Sequence, residues 1–342
     1  MGWGIPQKGG TIAVMSGASG GGRYFAIGDV HGCADELKEL LGQLPLTPED
    51  TVVFLGDYVD RGNQSREVID MILELRKIHR VVHLQGNHEE MLLDFLKDPH
   101  SRVASQFIFN GGSSTLASYA DDKGVWEIPE EHKAFYRELP CWHVTEEYVF
   151  VHAGLPLTPL KKINPTRDRR KLLWTRGKFL TTDYSWGKVV VHGHTPVAVP
   201  TITPNRINVD TGCVYGRYLT AVELPSRKLY SVARHKQERM LLREGGSNRR
   251  AVRFDGAIPV FLDLEEGRFA FETLNYSEIG MLLRQVDGAG APEMESGRKI
   301  RGEVQPKPGT SLHFEARVVR LRKYPDGKYY AIELLGPFKD NS

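Results

Sequence analysis

Apolar residues are grouped in this chain in two alternating ways. Three short apolar runs each end in a polar residue: Tyr24 to Asp29, Thr51 to Asp57 and Val81 to Asn87. Between them, apolar residues recur every three or four positions, first at Leu37, Leu40, Leu41 and Leu44, then at Val68, Ile69, Ile72 and Leu75. Period two against period 3.6 separates strands from amphipathic helices, so this stretch reads as β-α-β-α-β with parallel pairing. Ser65 is the candidate N-cap of the second helix. Residues 98–142 break the rhythm. Asn110-Gly111-Gly112 marks a loop, and Pro129 and Pro140 bracket a short helix. This part reads as a mostly helical cap, with Phe107, Phe109, Trp126, Phe135 and Tyr136 as its core. Strand patterns resume at Tyr148 to Ala153, Lys188 to Gly193, Ile207 to Thr211 and Tyr218 to Leu224.

Residues 233–248 read as a linker. They are rich in Arg and Lys, helical in the first half, and interrupted by Gly245-Gly246-Ser247. Beyond them the pattern is short alternating strands: Ile258 to Leu264, Arg268 to Tyr276, Met281 to Val286, Leu312 to Leu321 and Lys328 to Leu335. Tyr324-Pro325-Asp326-Gly327 has the chemistry of a hairpin turn, and the whole suggests a small β-barrel. The domain plan is therefore a flexible N-terminal tail over 1–23, a first domain over 24–232, the linker, and a second domain over 249–342.

Composition changes this picture little. The formal charge of +2 over 342 residues implies no general attraction to nucleic-acid polymers or membranes. Three widely spaced cysteines, Cys33, Cys141 and Cys213, give neither a disulfide framework nor a metal-type pairing, and they suit a reducing compartment. With no run of transmembrane length and no signal pattern, the expected location is cytoplasmic.

The polar residues at the strand ends carry the chemistry. They form Gly28-Asp29-Val30-His31-Gly32, Gly56-Asp57-Tyr58-Val59-Asp60-Arg61-Gly62, Gly86-Asn87-His88-Glu89, His152-Ala153-Gly154 and Gly193-His194-Thr195. Open α/β sheets hold their sites at such an edge. Carboxylate, amide and imidazole together are hard-metal ligands, not thiolate-type ones.

These blocks, in this order, resemble the phosphoprotein phosphatase branch of the calcineurin-like metallophosphoesterases. The resemblance covers roughly residues 24–232. It implies an α/β fold, a β-sandwich flanked by helices, and hydrolysis by a hydroxide bridging two divalent metal ions, with Mn the first choice and Fe, Zn or Mg also suitable. It further implies that Asp29 and His31 bind one metal, that Asp57 bridges both, and that Asn87, His152 and His194 bind the other. His192 then takes a supporting or packing role. His88 is the implied proton donor to the leaving oxygen, with Asp60 orienting it and favouring its charged form. Arg61 and, from Trp174-Thr175-Arg176, Arg176 would clamp the phosphoryl group. The expected substrate is a protein Ser/Thr phosphomonoester, with diadenosine tetraphosphate or another dinucleoside polyphosphate as the alternative.

A second resemblance lies in the C-terminal part. Arg249-Arg250-Ala251-Val252-Arg253 followed by Asn275-Tyr276-Ser277-Glu278-Ile279-Gly280 is similar to the RxxxR and D/NxSxxG motifs of PilZ domains. It implies cyclic di-GMP as a regulatory or localising ligand, held by Arg249, Arg253, Asn275, Ser277 and Gly280. Arginine forks suit guanine edges and phosphates, and glycine permits close backbone approach. A third reading makes the chain chiefly a cyclic di-GMP-responsive binding module whose phosphatase domain docks a partner.

Overall fold

A computed structural model describes residues 22–99, 101, 104–121, 125–235, 254–255, 257–277, 280–286, 290–307, 310–324, 327–336 and 338–340. The first domain contains β1 (Tyr24–Ile27), β2 (Thr51–Phe54), β3 (Arg80–His83), β4 (Trp142–Val144), β5 (Tyr148–Val151), β6 (Val189–His192), β7 (Thr201–Ile202), β8 (Arg206–Asn208), β9 (Tyr218–Leu224) and β10 (Leu229–Ala233). They form two five-stranded sheets, ordered β10-β9-β1-β2-β3 and β4-β5-β6-β8-β7. The pairs β1–β2 and β2–β3 are parallel, in the registers Tyr24↔Thr51 and Thr51↔Arg80. The pairs β5–β6 and β6–β8 are also parallel, and antiparallel strands extend the first sheet at one edge and the second sheet at both.

Alternation along the strands explains the layering. Ala26 and Val53 face the second sheet, where they join Leu55, Leu84, Phe150, Val191, Ile207 and Val222 in a core between the sheets. Phe25, Ile27, Val52 and Phe54 face the other way, onto the helices Ala34–Gln43 and Ser65–Leu75. The outer face of the second sheet packs Val149, Val151 and Val190 against Leu172, Phe179 and Trp186. The result is the expected helix-flanked β-sandwich.

Several local expectations need correction. The first three strands stop two to four residues before the expected ends, because the loops take over their backbone groups: the Val30 and His31 N–H both donate to the Asp57 carbonyl, at 3.0 and 2.8 Å. Ser65 is the first helical residue, not the cap, and its hydroxyl meets Thr115 Oγ1 at 3.2 Å. Asn110-Gly111-Gly112 is part of a π-helical turn, Ile108–Gly112, with Gly111 at φ 104°. β10 reaches Ala233, the first position of the expected linker. Arg234 and His235 then bind the Glu36 carboxylate, so the chain stays attached to the first domain through 235. Residues 236–248 of the expected linker lie outside the described residues.

The second domain is a closed antiparallel barrel of six strands. Gly267–Ser277 pairs with Pro259–Leu264, and the ring continues through Lys299–Lys307, Thr310–Tyr324, Gly327–Leu334 and Gly280–Gln285 back to Gly267–Ser277. Lys299–Lys307 was not expected as a strand, since Gly302 and Pro306 interrupt its alternation. Val260, Leu262, Phe271, Leu283, Val304, Phe314 and Ile332 fill the barrel interior. The barrel also touches the cap, through Tyr276 stacked on Phe109.

Candidate active site

The ends of β1, β2, β3, β5 and β6 meet at one edge of the sandwich, and all five motif blocks meet there with them. Asp29, His31, Asp57, Asn87, His88, His152 and His194 are all buried. Asp57 stands between two groups of donor atoms. One comprises His31, Asp57 and His88; the other comprises Asp57, His152 and His194. Asn87 Oδ1 joins the second group, 2.9 Å from both His152 Nε2 and His194 Nδ1. Asp29 is turned slightly away, with both of its oxygens 3.1 Å from the His194 N–H.

Backbone strain marks the same place. Among the described residues six non-glycines have positive φ, and five of them are His31, Asp57, Asp60, Arg61 and His194. Left-handed backbone is unfavourable for such residues and persists only where its surroundings impose it. Glu89 is part of what imposes it. Its carboxylate accepts the N–H groups of Asp57, Tyr58, Val59 and Gly86, at 3.0, 2.8, 3.3 and 2.9 Å. A Cβ on Gly86 would sit 2.0 Å from Asp57 Oδ1, so only glycine lets the two loops approach so closely.

Hydrogen bonding assigns the ring protons. His31 Nδ1 donates to the Val59 carbonyl at 2.7 Å and His152 Nδ1 to the Leu55 carbonyl at 2.9 Å. Burial lowers both imidazoles, His152 to about 3, so each ring is neutral and turns a bare Nε2 toward Asp57. Arg176 donates to His194 Nε2 at 3.1 Å, which leaves that ring's proton on Nδ1, between His152 and Asn87. Burial pushes Asp57 up to about 7 against the pull of Arg61 and Arg176. It also pushes Asp29 well up, helped by the charges of Asp210 and Asp57. Asp210 Oδ2 is buried without a hydrogen-bond partner of good geometry among the described residues. Crowded carboxylates, inward lone pairs and one exchangeable proton form a donor set that suits hard divalent cations, whose binding releases protons.

His88 and Asp60 form a buried pair with Nδ1 and Oδ2 at 2.6 Å. Asp60 Oδ1 also accepts the Thr115 hydroxyl at 2.6 Å, which ties the pair to the cap. Burial, reinforced by Arg61, drives His88 well below its ordinary value, while burial drives Asp60 well above its own. His192 does not join the cluster: its Nδ1 donates to the Gly193 carbonyl at 3.1 Å and its ring meets Phe179 edge-on. Trp174 donates to Glu90 at 2.8 Å, which helps fix the segment carrying Arg176.

Asp29, His31, Asp57, Asn87, His88, Trp174 and His194 line a pocket of about 510 Å³, together with Arg61, Arg176, Arg217, Asp210, Tyr215 and Phe338. A larger groove of about 1510 Å³ runs along β3 and β4 and is lined by none of the clustered donors, so size alone does not locate the chemistry. Cys33, Glu36 and Cys213 make another tight group, but Glu36 is already bound by Arg234 and His235. All three cysteines are buried and free. Sequence reading missed Glu89, Asp210, Thr115, Tyr215 and Arg217. Glu89 and Asp210 lie inside recognisable blocks, Gly-Asn-His-Glu and Val209-Asp210-Thr211-Gly212, whereas nothing local marks Thr115. In the barrel, Asn275, Ser277 and Gly280 lie on adjacent paired strands, with a register shift between Thr273 and Asn275. Arg249 and Arg253 fall outside the described residues.

Two metal-suited donor groups sharing one carboxylate, on strand ends of a helix-flanked sandwich, define a metallophosphoesterase. Residues 22–229 match the family model for calcineurin-like phosphoesterases, and the chain belongs to that family. Residues 247–340 match the PilZ domain, so a hydrolase of phosphate esters is joined here to a PilZ module. Among curated relatives, the asymmetrical bis(5'-nucleosyl)-tetraphosphatase PrpE of Anoxybacillus flavithermus is 31% identical over 233 residues, covering 61% of this chain and 93% of the relative. Its counterpart from Oceanobacillus iheyensis is 32% identical over 235 residues, covering 60% and 90%. A crystal structure provisionally described as a diadenosine tetraphosphatase shares the fold at 24% identity and a TM-score of 0.50, covering 63% of this chain and 95% of its own. No helix among the described residues is long and apolar enough to cross a membrane.

Proposed function

We propose that this protein cleaves dinucleoside tetraphosphates asymmetrically and that its PilZ domain binds cyclic di-GMP. The observation that carries the substrate reading is the pocket itself. Arg61, Arg176 and Arg217 share it with the rings of Tyr215 and Phe338. One phosphoserine needs a single phosphate site, whereas a polyphosphate bridging two nucleosides uses several guanidinium groups and aromatic faces. The names of the curated relatives point the same way. The phosphoprotein reading rests on motifs common to both activities.

In this reading Asp29, His31 and the shared Asp57 hold one divalent cation, and Asn87, His152, His194 and Asp57 hold the other. The pair of cations supplies an activated water and neutralises phosphate charge. The chain does the rest. Arg61 and Arg176, whose guanidinium groups donate to His31 and His194 across the pocket, bind the phosphoryl oxygens. Asp60 and Thr115 fix the His88 ring, and His88 Nε2 hands a proton to the oxygen that leaves as the P–O bond breaks. The negative charge of a bound polyphosphate offsets the burial and the Arg61 charge that hold His88 low.

Incubation of the manganese-loaded protein with diadenosine tetraphosphate should yield ATP and AMP in equal amounts. Exclusive release of inorganic phosphate, with turnover confined to phosphopeptides, would move the assignment to protein dephosphorylation. For the second domain, calorimetry should show cyclic di-GMP binding to the wild type. The double variant Arg249→Ala/Arg253→Ala should weaken binding by roughly 100-fold, since charge-assisted contacts from two arginines are lost. A wild type that takes up no dinucleotide sinks the sensor reading.

A further inference from the structure

The barrel reaches the active-site pocket. Phe338, just before the short strand Lys339–Asp340 that pairs with the barrel, is half-buried and lines the same pocket as Asp57 and Arg176. Its ring meets Phe109 of the cap edge-on at 4.8 Å and leans on Phe314 of the barrel at 5.8 Å. Phe109 in turn stacks on Tyr276, with centroids 4.8 Å apart and planes 26° apart. Phe109 and Tyr276 are 2% and 3% exposed, so they belong to a closed aromatic joint, while Phe338 keeps a free part facing the pocket. The cap side of this joint is itself tied to the chemistry. Gly111, two residues after Phe109, accepts the Arg61 N–H on its carbonyl at 3.1 Å.

An aromatic face beside arginines that bind phosphate is suited to stack a nucleobase. We propose that Phe338 is a specificity-determining wall for the substrate's nucleobase, supplied to the phosphatase pocket by the PilZ barrel and held there by the Phe109–Tyr276 stack. The proposal rests on the nucleotide reading above, since a substrate without a base has nothing to stack. It also assigns the second domain a place in substrate binding. Tyr276 lies between Asn275 and Ser277 of the cyclic di-GMP motif, so the segment expected to hold that ligand is the one that backs the wall.

The test uses the full-length, metal-loaded protein and three substitutions: Phe338→Ala, Phe338→Leu and Phe338→Tyr. Leucine keeps apolar volume without a π-face, and tyrosine keeps the π-face. With diadenosine tetraphosphate, the alanine and leucine variants should raise KM by roughly 5- to 100-fold, the worth of one lost base–aromatic stack. Their kcat should stay within about twofold, because among the described residues the Phe338 ring packs on Phe109 and Phe314, which neither activate water nor donate the proton. Phe338→Tyr should restore KM. Hydrolysis of inorganic tripolyphosphate, which carries no ring to stack, should be the same in all four proteins and serves as the check on folding. Unchanged KM for diadenosine tetraphosphate in Phe338→Ala and Phe338→Leu overturns the wall while leaving the substrate reading intact. If the wild type hydrolyses only inorganic tripolyphosphate, the substrate reading fails separately. The wall is then judged by adenosine 5'-tetraphosphate as a competitive inhibitor: weaker inhibition of Phe338→Ala supports it, and equal or absent inhibition in both proteins overturns it.

Discussion

Asp57→Asn should leave a protein that folds but barely turns over. Asp57 faces both donor groups, so its loss weakens two cation sites at once. Loss of a single contact that supports a bound metal typically costs about 10- to 100-fold, which for two sites gives roughly 10²- to 10⁴-fold in kcat/KM. Metal content measured by mass spectrometry should fall in parallel, and excess Mn²⁺ should recover only part of the activity. Thermal melting adds an independent sign. In the folded, chelated protein burial holds Asp57 up at about 7, above its unfolded value near 3.9. At pH 8 the carboxylate is then charged in both states, and that charge costs folding stability. Asparagine removes the cost, so the chelated variant should melt at or above the chelated wild type. With metal the order should reverse, because only the wild type gains from two filled sites. A chelated wild type with full activity, or a variant with normal metal content and normal turnover, would contradict the assignment of this cluster.

His88→Asn should lower turnover by roughly 10²- to 10⁴-fold, the usual contribution of a positioned acid. Metal content decides how the result is read. His88 Nε2 lies 3.9 Å from Asp57 Oδ2, and the ring belongs to the same donor group as His31. If His88 is the proton donor, the variant keeps its metals and loses rate. If it is a ligand, both fall together. Leaving-group chemistry separates the roles further. A substrate whose leaving oxygen needs no proton, such as p-nitrophenyl phosphate, should suffer far less than diadenosine tetraphosphate. Asp60→Asn should give a smaller loss of the same character, because Thr115 still holds position 60 while the ring loses the carboxyl group that orients it.

Much of this molecule is written locally. Strand and helix periods place β1 to β3 and their two helices, and the short polar blocks name the metal-type residues, because each motif is contiguous and sits where a strand runs out. The same locality reveals the barrel through its alternation and the Arg-x-x-x-Arg and Asn-x-Ser-x-x-Gly pattern. Lys299–Lys307 and Leu229–Ala233 escaped notice, since a glycine, a proline and exposed polar residues blur a period-two signal that pairing with a neighbour still completes.

What only the tertiary structure decided are the relations between residues far apart in the chain. Thr115 reaches Asp60 across 55 positions, and Glu89 gathers the backbone N–H groups of Asp57, Tyr58 and Val59 from about 30 positions away. Burial, a property of the whole surroundings and not of the motif, raises Asp60 and lowers His88. Phe109, read as cap core, is also the surface on which Tyr276 rests. Composition and spacing record which groups a chain owns. Which of them share a desolvated space depends on how sheets, cap and barrel close on one another, and in that closing a carboxylate shared by two donor groups and an aromatic joint between cap and barrel come into being.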